Sequence, residues 1–209
     1  MNAKNTVKRG MRLYNDSDER LYINAAERAR FIDAAQNVPE HMRTFCLTLL
    51  YTGCRLSEAR ALTTSSLQEG DNLLAFRSLK KRGQHHIREI PIPVSLVQSL
   101  ARLGRKTENA KDGGPKNNPS CLWASETGGP IDRITAYRWV KGVMQWANIH
   151  GPLACPKGLR HGYGIHAIRS GITLNMLCRW MGHSSIEVTA IYANAVGPEE
   201  MELAERMWT

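Results

Sequence analysis

Apolar residues recur at helical spacing along most of the chain and predict a succession of helices. A first helix is predicted from about residue 24, and a second from beyond Pro39 to Gly53, because glycine commonly ends helices. The same periodicity predicts helices over residues 57–62, 94–103, 131–147, 156–170, 174–181, 186–192 and 198–208. In the helix over 131–147, the residues predicted to face the core are Ile134, Tyr137, Trp139, Val140, Val143 and Trp146.

Two short segments, residues 73–77 and 87–92, have the composition of strands, and the second alternates apolar and charged positions. A basic, glycine-containing turn separates them, which predicts an antiparallel hairpin with a cationic tip. The expected fold class is therefore α+β, mainly α-helical with a small antiparallel β-sheet. Residues 1–20 are polar and basic without periodicity, so we expect a basic N-terminal arm there and a single domain over residues 21–209.

Charge and cysteine content narrow the functional class. The chain has 28 Lys and Arg against 19 Asp and Glu, a net charge of +9, which favours a polyanionic partner such as nucleic acid. Its five cysteines form no Cys-x-x-Cys pair, which disfavours a disulfide framework or a zinc module and favours a reducing cytosol. No apolar run reaches the length of a membrane span, and the polar start is no signal peptide, so we expect no membrane partner.

Three short segments carry the candidate chemistry. They are Thr52-Gly53-Cys54-Arg55-Leu56-Ser57-Glu58, Lys157-Gly158-Leu159-Arg160-His161 and Gly182-His183-Ser184-Ser185-Ile186 followed by Thr189 and Tyr192. Alone, each has an ordinary interpretation: a surface ion pair, a basic helix start, a packed tyrosine. Together they provide guanidinium groups that bind phosphate oxygens, imidazoles that move protons and a phenol nucleophile. That set is suited to chemistry on a phosphodiester.

In their order and spacing, these motifs resemble those of the tyrosine recombinase (phage integrase) family over roughly residues 22–195. The resemblance implies that family's catalytic-domain fold. Typical members also carry an N-terminal core-binding domain of about a hundred residues, whereas some twenty residues precede the resemblance here. We therefore expect a catalytic domain alone, similar to the short fimbrial-switch recombinases.

The resemblance also implies roles for individual residues. Tyr192 would attack the scissile phosphate, leaving a 3′-phosphotyrosine and a free 5′-hydroxyl. Arg55 and Arg160 would stabilise charge on the transition state, the electrostatic contribution that usually dominates such catalysis. His183 would hydrogen-bond a phosphate oxygen or assist proton transfer, and Glu58 would hold Arg55 in one orientation. Since arginines supply the charge, no metal or cofactor is expected.

The family places a general-acid lysine on the β-hairpin, where Lys80 and Lys81 are both candidates and Lys80 is favoured. Lys157 stands where the family usually has histidine; it keeps a hydrogen-bond donor for phosphate but leaves open which base activates the tyrosine. The residues expected to contact the DNA backbone are Arg77, Lys81, Arg82 and Arg88.

The predicted activity is site-specific DNA recombination in the cytoplasm, in association with the nucleoid. The expected partners are double-stranded DNA and further copies of the chain, assembled as a tetramer through the helix over 198–208. Two alternatives share the motifs. One is a type IB-like topoisomerase or nicking enzyme, and the other is a catalytically impaired DNA-binding regulator with the same fold.

Overall fold

Helices dominate the structure, a computed structural model that describes residues 12–79, 85–109, 120–194, 201, 204–205 and 207–208. The longer helices are α1 (Ala25–Gln36), α2 (Glu40–Thr52), α4 (Val94–Asn109), α5 (Arg133–Trp146) and α6 (Pro156–Arg169). The shorter ones are α3 (Leu56–Arg60), α7 (Leu174–Met181) and α8 (Ile186–Ala190), and 3-10 turns occupy Thr64–Ser66 and Ile191–Asn194. Tyr192 therefore lies in a 3-10 turn directly after α8 and not in the predicted helix over 186–192.

Local sequence explains where the helices begin and end. Asn24 caps α1: its side chain accepts from the Glu27 backbone, and the Glu27 carboxylate accepts in return from the Asn24 backbone. Gly53 ends α2 with φ of 58°, a conformation that suits glycine, as predicted. A Cβ at Gly53 would also approach the Tyr163 ring to 2.3 Å. Gly182 ends α7 in the same way, with φ of 63°.

The three strands form one antiparallel sheet. They are β1 (Leu67–Gln68), β2 (Leu73–Leu79) and β3 (His85–Pro91), in the order β1-β2-β3. In the β2–β3 register, Phe76 is opposite Arg88 and Arg77 is opposite Ile87. The hairpin is thus longer than predicted and gains β1, and the predicted α+β class with a small antiparallel sheet is confirmed. The turn at residues 80–84 lies outside the described residues.

Of the six α5 residues predicted to face the core, three do not, so the prediction was wrong for half of them. The helix packs against α1, α2 and α3 through a different stripe, made of Ala136, Val140, Val143 and Met144. Ile134, Tyr137 and Trp146 are instead 64%, 40% and 71% exposed. Apolar character alone did not identify the buried face, because α5 carries large apolar residues all round and its small Ala136 is the one that allows close packing.

Helix α6 lies at the centre of the domain, and every residue from 158 to 165 is buried. It packs against α1, α2 and α7 and against the turn that holds Tyr192. Glycines allow this close approach: a Cβ at Gly162 would lie 2.4 Å from the Ile23 side chain. The helix therefore carries its polar residues into the interior, where they face the loops that follow α2 and α7.

The segment before α1 packs onto this core. Leu13 and Tyr22 are buried in a cluster that also contains Tyr163, Met181 and Tyr192. Arg20 donates to both carboxylate oxygens of Glu27, at 2.7 and 2.8 Å. The N-terminal arm over residues 1–20 remains a prediction, since residues 1–11 lie outside the described ranges. No helix in the described part of the chain is long and apolar enough to cross a membrane.

Candidate active site

Arg55 lies at the start of α3 and is held by Glu58. The Glu58 carboxylate accepts from the Arg55 backbone at 2.7 Å and from its guanidinium at 3.0 Å, while the Arg55 side chain stays 44% exposed. One carboxylate thus fixes both the helix start and the direction of the guanidinium. This is the geometry that the predicted supporting role of Glu58 requires.

Arg88 requires a correction, because its position does not suit the predicted contact with the DNA backbone. Its side chain is 3% exposed and donates to both oxygens of Glu58, at 3.1 and 2.7 Å. Its Nε donates to the Trp180 carbonyl at 2.8 Å, and the guanidinium stacks on the Phe76 ring. These donors face the protein interior. Arg88 therefore links the sheet to Glu58 and to the end of α7, and it supports the carboxylate that holds Arg55.

Replacing Glu58 with Gln is expected to lower the free energy of unfolding by about 3 kcal/mol at neutral pH, because Arg88 would keep a buried charge without its partner. Burial opposes ionisation of Glu58, but its bonds to Arg88 and Arg55 outweigh that and lower its pKa below the usual 4.5. This stabilisation is present above that usual value and is lost as the pH falls through the lower folded-state pKa. Denaturant unfolding at several pH values measures both effects.

The double variant Glu58→Gln, Arg88→Met is the matched control. Removing both charges leaves no unpaired ion, so it should be more stable than Glu58→Gln alone. Equal stability of the single and double variants would show that the ion pair does not support this part of the fold.

Arg160 points from α6 into the space between the ends of α2 and α7. Its guanidinium donates to the carbonyls of Gly53 and Met181 and, at 2.9 Å, to Nε2 of His183. The other ring nitrogen of His183 lies 2.8 Å from the Thr189 hydroxyl. Since Nε2 accepts from Arg160, Nδ1 carries the hydrogen and donates to Thr189. Burial, together with the nearby charge of Arg55, lowers the pKa of the Arg160 guanidinium.

Tyr192 is 1% exposed, and its hydroxyl lies 3.2 Å from Nδ1 of His161. Its ring is nearly parallel to that of His183, with centroids 6.3 Å apart. Burial raises the pKa of Tyr192 to about 12, although Arg160 and Arg55 act in the opposite direction. The phenol is therefore protonated and packed away from solvent, within range of both arginine charges.

Gly164 makes room for the Tyr192 ring, since a Cβ there would lie 2.7 Å from its atoms. We expect Gly164→Ala to displace the ring and to cost about 1–3 kcal/mol of stability, the usual effect of overpacking. Gly142→Ala, inside α5 with nothing within 4 Å of the added Cβ, should instead stabilise by about 0.5–1 kcal/mol. Thermal unfolding of the two variants measures the contrast, and equal effects would mean that Tyr192 does not occupy this position in solution.

A cleft of about 580 Å³ opens beside Arg55, Arg160 and His161, between α3, α5 and the start of α6. Five of its lining side chains are cationic, and no Asp or Glu occurs among the described residues that line it. The five are Arg55, Arg60, Arg133, Lys157 and Arg160. Such a lining attracts an anion of the size of a phosphodiester.

The structure thus brings together Arg55, Lys157, Arg160, His183 and Tyr192, although their chemical roles remain predictions. Lys157 is exposed at the first turn of α6, on the cleft. Arg77 is exposed on β2 and stays a predicted DNA contact. Three predicted residues, Lys80, Lys81 and Arg82, lie outside the described part of the chain. The described residues also contain no group of three or more His, Cys, Asp or Glu that could hold a metal ion.

The sequence assigned no individual role to two residues of the site, although both lie inside its motifs and one of them is among the histidines counted there. His161 directly follows Arg160, and Thr189 lies between His183 and Tyr192. Their signal was the motif spacing, which places His161 and Thr189 beside functional positions but does not show which atoms meet.

Comparisons with known proteins identify the family and the fold of the chain. The model of the phage integrase family matches residues 21–197. The tyrosine recombinase XerD of Corynebacterium glutamicum is 29% identical over 180 residues, which cover 83% of this chain and 56% of that protein. The crystal structure of XerA recombinase superposes with a TM-score of 0.75 at 22% identity, covering 90% of this chain and 65% of that one.

A further structure with the same fold is that of the XerH site-specific recombinase bound to its difH substrate. It superposes with a TM-score of 0.70 at 15% identity, covering 94% of this chain and 60% of that chain. The chain spans about half the length of the curated relatives that it matches.

Proposed function

Because the chain belongs to the phage integrase family, we propose that it is a site-specific DNA recombinase that cuts and rejoins DNA strands through a 3′-phosphotyrosine intermediate. The observation that carries the proposal is the basic cleft, with five cationic side chains and no described carboxylate, whose wall includes His161, the residue that contacts the Tyr192 hydroxyl. An anionic backbone is the ligand that this lining favours, and a phenol within range of its arginines is the nucleophile.

In the proposed reaction, the scissile phosphate enters the cleft between Arg55 and Arg160. Arg55 is exposed and held by Glu58, so it can bind a phosphate oxygen without reorganising. Arg160 is anchored by two carbonyls and by His183. The energy of the broken phosphodiester is retained in the phosphotyrosine, so rejoining needs no nucleotide cofactor.

Tyr192 must become accessible for this reaction, because its side chain is 1% exposed in the structure. It follows the five-residue helix α8 within a 3-10 turn, and its hydroxyl contacts His161, which lines the cleft. A shift of this short segment past the His161 ring would bring the hydroxyl to the cleft while it stays in contact with that ring. DNA binding would supply that shift, which makes the structure described here a resting state.

Double-stranded DNA is the proposed partner, in keeping with the net charge of +9 and with the substrate-bound relative of the same fold. We further propose that copies of the chain assemble on DNA as a tetramer through the segment over 198–208. Of that segment, Met201, Met207 and Trp208 are 56%, 82% and 70% exposed. Sedimentation on DNA with and without residues 198–209 tests this, and unchanged assembly of the truncated chain would refute it.

The cytoplasm, in association with the nucleoid, is the proposed location, because DNA is available there. All five cysteines are free, which agrees with a reducing compartment. Fractionation of cells that express the chain would locate it, and recovery outside the cytoplasm would contradict this part of the proposal.

The experiment that tests the function begins with capture of DNA from fragments that surround the gene. Fragments that stay attached to the protein in strong denaturant identify the cleavage site. On a plasmid with two copies of that site, the DNA between the copies should then be deleted or inverted. Relaxation of the plasmid without exchange would favour a topoisomerase, and binding without covalent attachment would favour a DNA-binding regulator.

A further inference from the structure

His161 occupies an unusual position in the wall of the cleft. It is 1% exposed, and its Nδ1 lies 3.2 Å from the Tyr192 hydroxyl. Its Nε2 is buried without a hydrogen-bond partner among the described residues, although the ring lines the cleft. A buried ring nitrogen without a partner is costly, so a role for this atom in the bound state is expected.

The other polar side chains at the site are poorly suited to take the Tyr192 proton. Lys157 is a cation at the exposed start of α6, and a protonated ammonium has no lone pair. His183 already uses Nε2 to accept from Arg160 and Nδ1 to donate to Thr189. The nitrogen that faces the phenol directly is therefore Nδ1 of His161.

We propose that His161 accepts the proton of Tyr192 during DNA cleavage and returns it during rejoining, an inference that rests on the proposed function. The Tyr192 O–H bond breaks as its oxygen forms the bond to phosphorus, and the proton moves to Nδ1. The bond from phosphorus to the 5′ oxygen breaks, and that oxygen takes a proton from the general acid, for which Lys80 is predicted. His161 would thus be the general base, a role for which Lys157 is poorly suited.

The protonation states of His161 and Tyr192 keep the proton on the phenol until DNA binds. Burial lowers the pKa of His161 to about 4, with Lys157 and Arg160 adding to the effect, so the ring is neutral and can accept a proton. Burial also raises the pKa of Tyr192 to about 12, which keeps the proton on the phenol at rest. A phosphodiester in the cleft would bring negative charge toward Nε2–H and stabilise the imidazolium.

Charged and titratable groups surround His161 on several elements. They are Lys157 and Arg160 on α6, Cys155 before it, Arg55 and Arg133 across the cleft, and Tyr192 on the 3-10 turn. Lys157 and Arg160 oppose protonation of His161 until the phosphate offsets their charge. This gives the cleft a means of coupling DNA binding to activation of the nucleophile.

The test measures covalent attachment to a nicked substrate in single turnover, at saturating DNA, between about pH 6 and about pH 8. The wild-type rate should be nearly level in the upper part of this range, because the pKa of His161 starts from about 4 and the ring is neutral there even after bound phosphate raises that pKa. His161→Gln keeps hydrogen-bonding capacity but cannot take a proton, and its rate should fall by about 100-fold. Its remaining rate should rise about tenfold per pH unit, because hydroxide must then remove the proton.

Added imidazole should raise the rate of His161→Ala by about tenfold or more, by filling the vacated place as a base. The matched control is His166→Gln, since His166 lies on the same helix and has a pKa lowered to about 4, chiefly by burial, but lies outside the cleft. This control should keep the wild-type rate and pH profile.

A His161→Gln rate within about threefold of wild type, with the same level profile, would reduce His161 to a packing residue. A His161→Ala variant that reacts slowly and is not accelerated by imidazole would lead to the same conclusion. If neither variant folds, the pH profile of the wild-type rate decides whether His161 is the base. A wild-type rate that rises about tenfold per pH unit would mean that hydroxide, and not His161, removes the proton. Absence of any wild-type attachment at Tyr192 would instead refute the proposed function itself.

Discussion

Tyr192→Phe is expected to abolish covalent attachment of DNA while leaving DNA binding nearly unchanged. The substitution removes the nucleophilic oxygen and keeps the ring that packs against Gly164. Its effect on stability should be small, about 1 kcal/mol, because only the hydrogen bond to His161 is lost. Denaturing gels of protein mixed with a nicked substrate measure attachment, and a mobility shift of the native complex measures binding.

Tyr51→Phe is the matched control for this prediction. Tyr51 is partly buried at the end of α2, where its ring lies under Arg28, and its hydroxyl is outside the cleft lining. This variant should attach to DNA at the wild-type rate. An adduct that persists in Tyr192→Phe and disappears in Tyr51→Phe would assign the nucleophile to α2.

Arg160→Ala should lower the rate of attachment by roughly 10²–10³, the usual cost of losing one preorganised donor to a developing charge. Arg160→Lys should recover little of the rate, because an ammonium cannot reach the Gly53 carbonyl, the Met181 carbonyl and His183 together. Single-turnover rates at saturating DNA separate this effect from weaker binding.

The control for Arg160 is Arg102→Ala, an exposed arginine on α4 that pairs with Glu40 away from the cleft. It should attach to DNA at the wild-type rate. Near-normal attachment by a folded Arg160→Ala protein would show that Arg160 does not stabilise the transition state, even if Tyr192 were the nucleophile.

The parts of the site that could be predicted from the sequence are those whose residues lie close together in the chain. Arg55 and Glu58 are three residues apart at a helix start, so their pairing follows from helical geometry. The end of α2 at Gly53 and the end of α7 at Gly182 follow from the left-handed conformation that glycine tolerates. For the same reason, the class of the fold and the position of most helices could be predicted.

Contacts between distant segments could not be predicted in this way. Arg88 shares the face of β3 that carries the buried Ile90, but the pattern does not show its partners, which are Glu58, 30 residues earlier, and the Trp180 carbonyl, 92 residues later. His161 meets Tyr192 across 31 residues. These pairs depend on how α3, α6, α7 and the sheet pack together, which the pattern of polar and apolar positions does not encode.

The proposed reaction joins Tyr192 to the 3′ end of a DNA strand held in the basic cleft. Its most direct test is mass spectrometry of the attached complex after digestion by protease and nuclease, together with analysis of the released strand. We expect a nucleotide joined through its 3′ phosphate to the peptide that carries Tyr192, and a released strand with a free 5′-hydroxyl. A nucleotide on any other residue, or one joined through its 5′ phosphate, would contradict it.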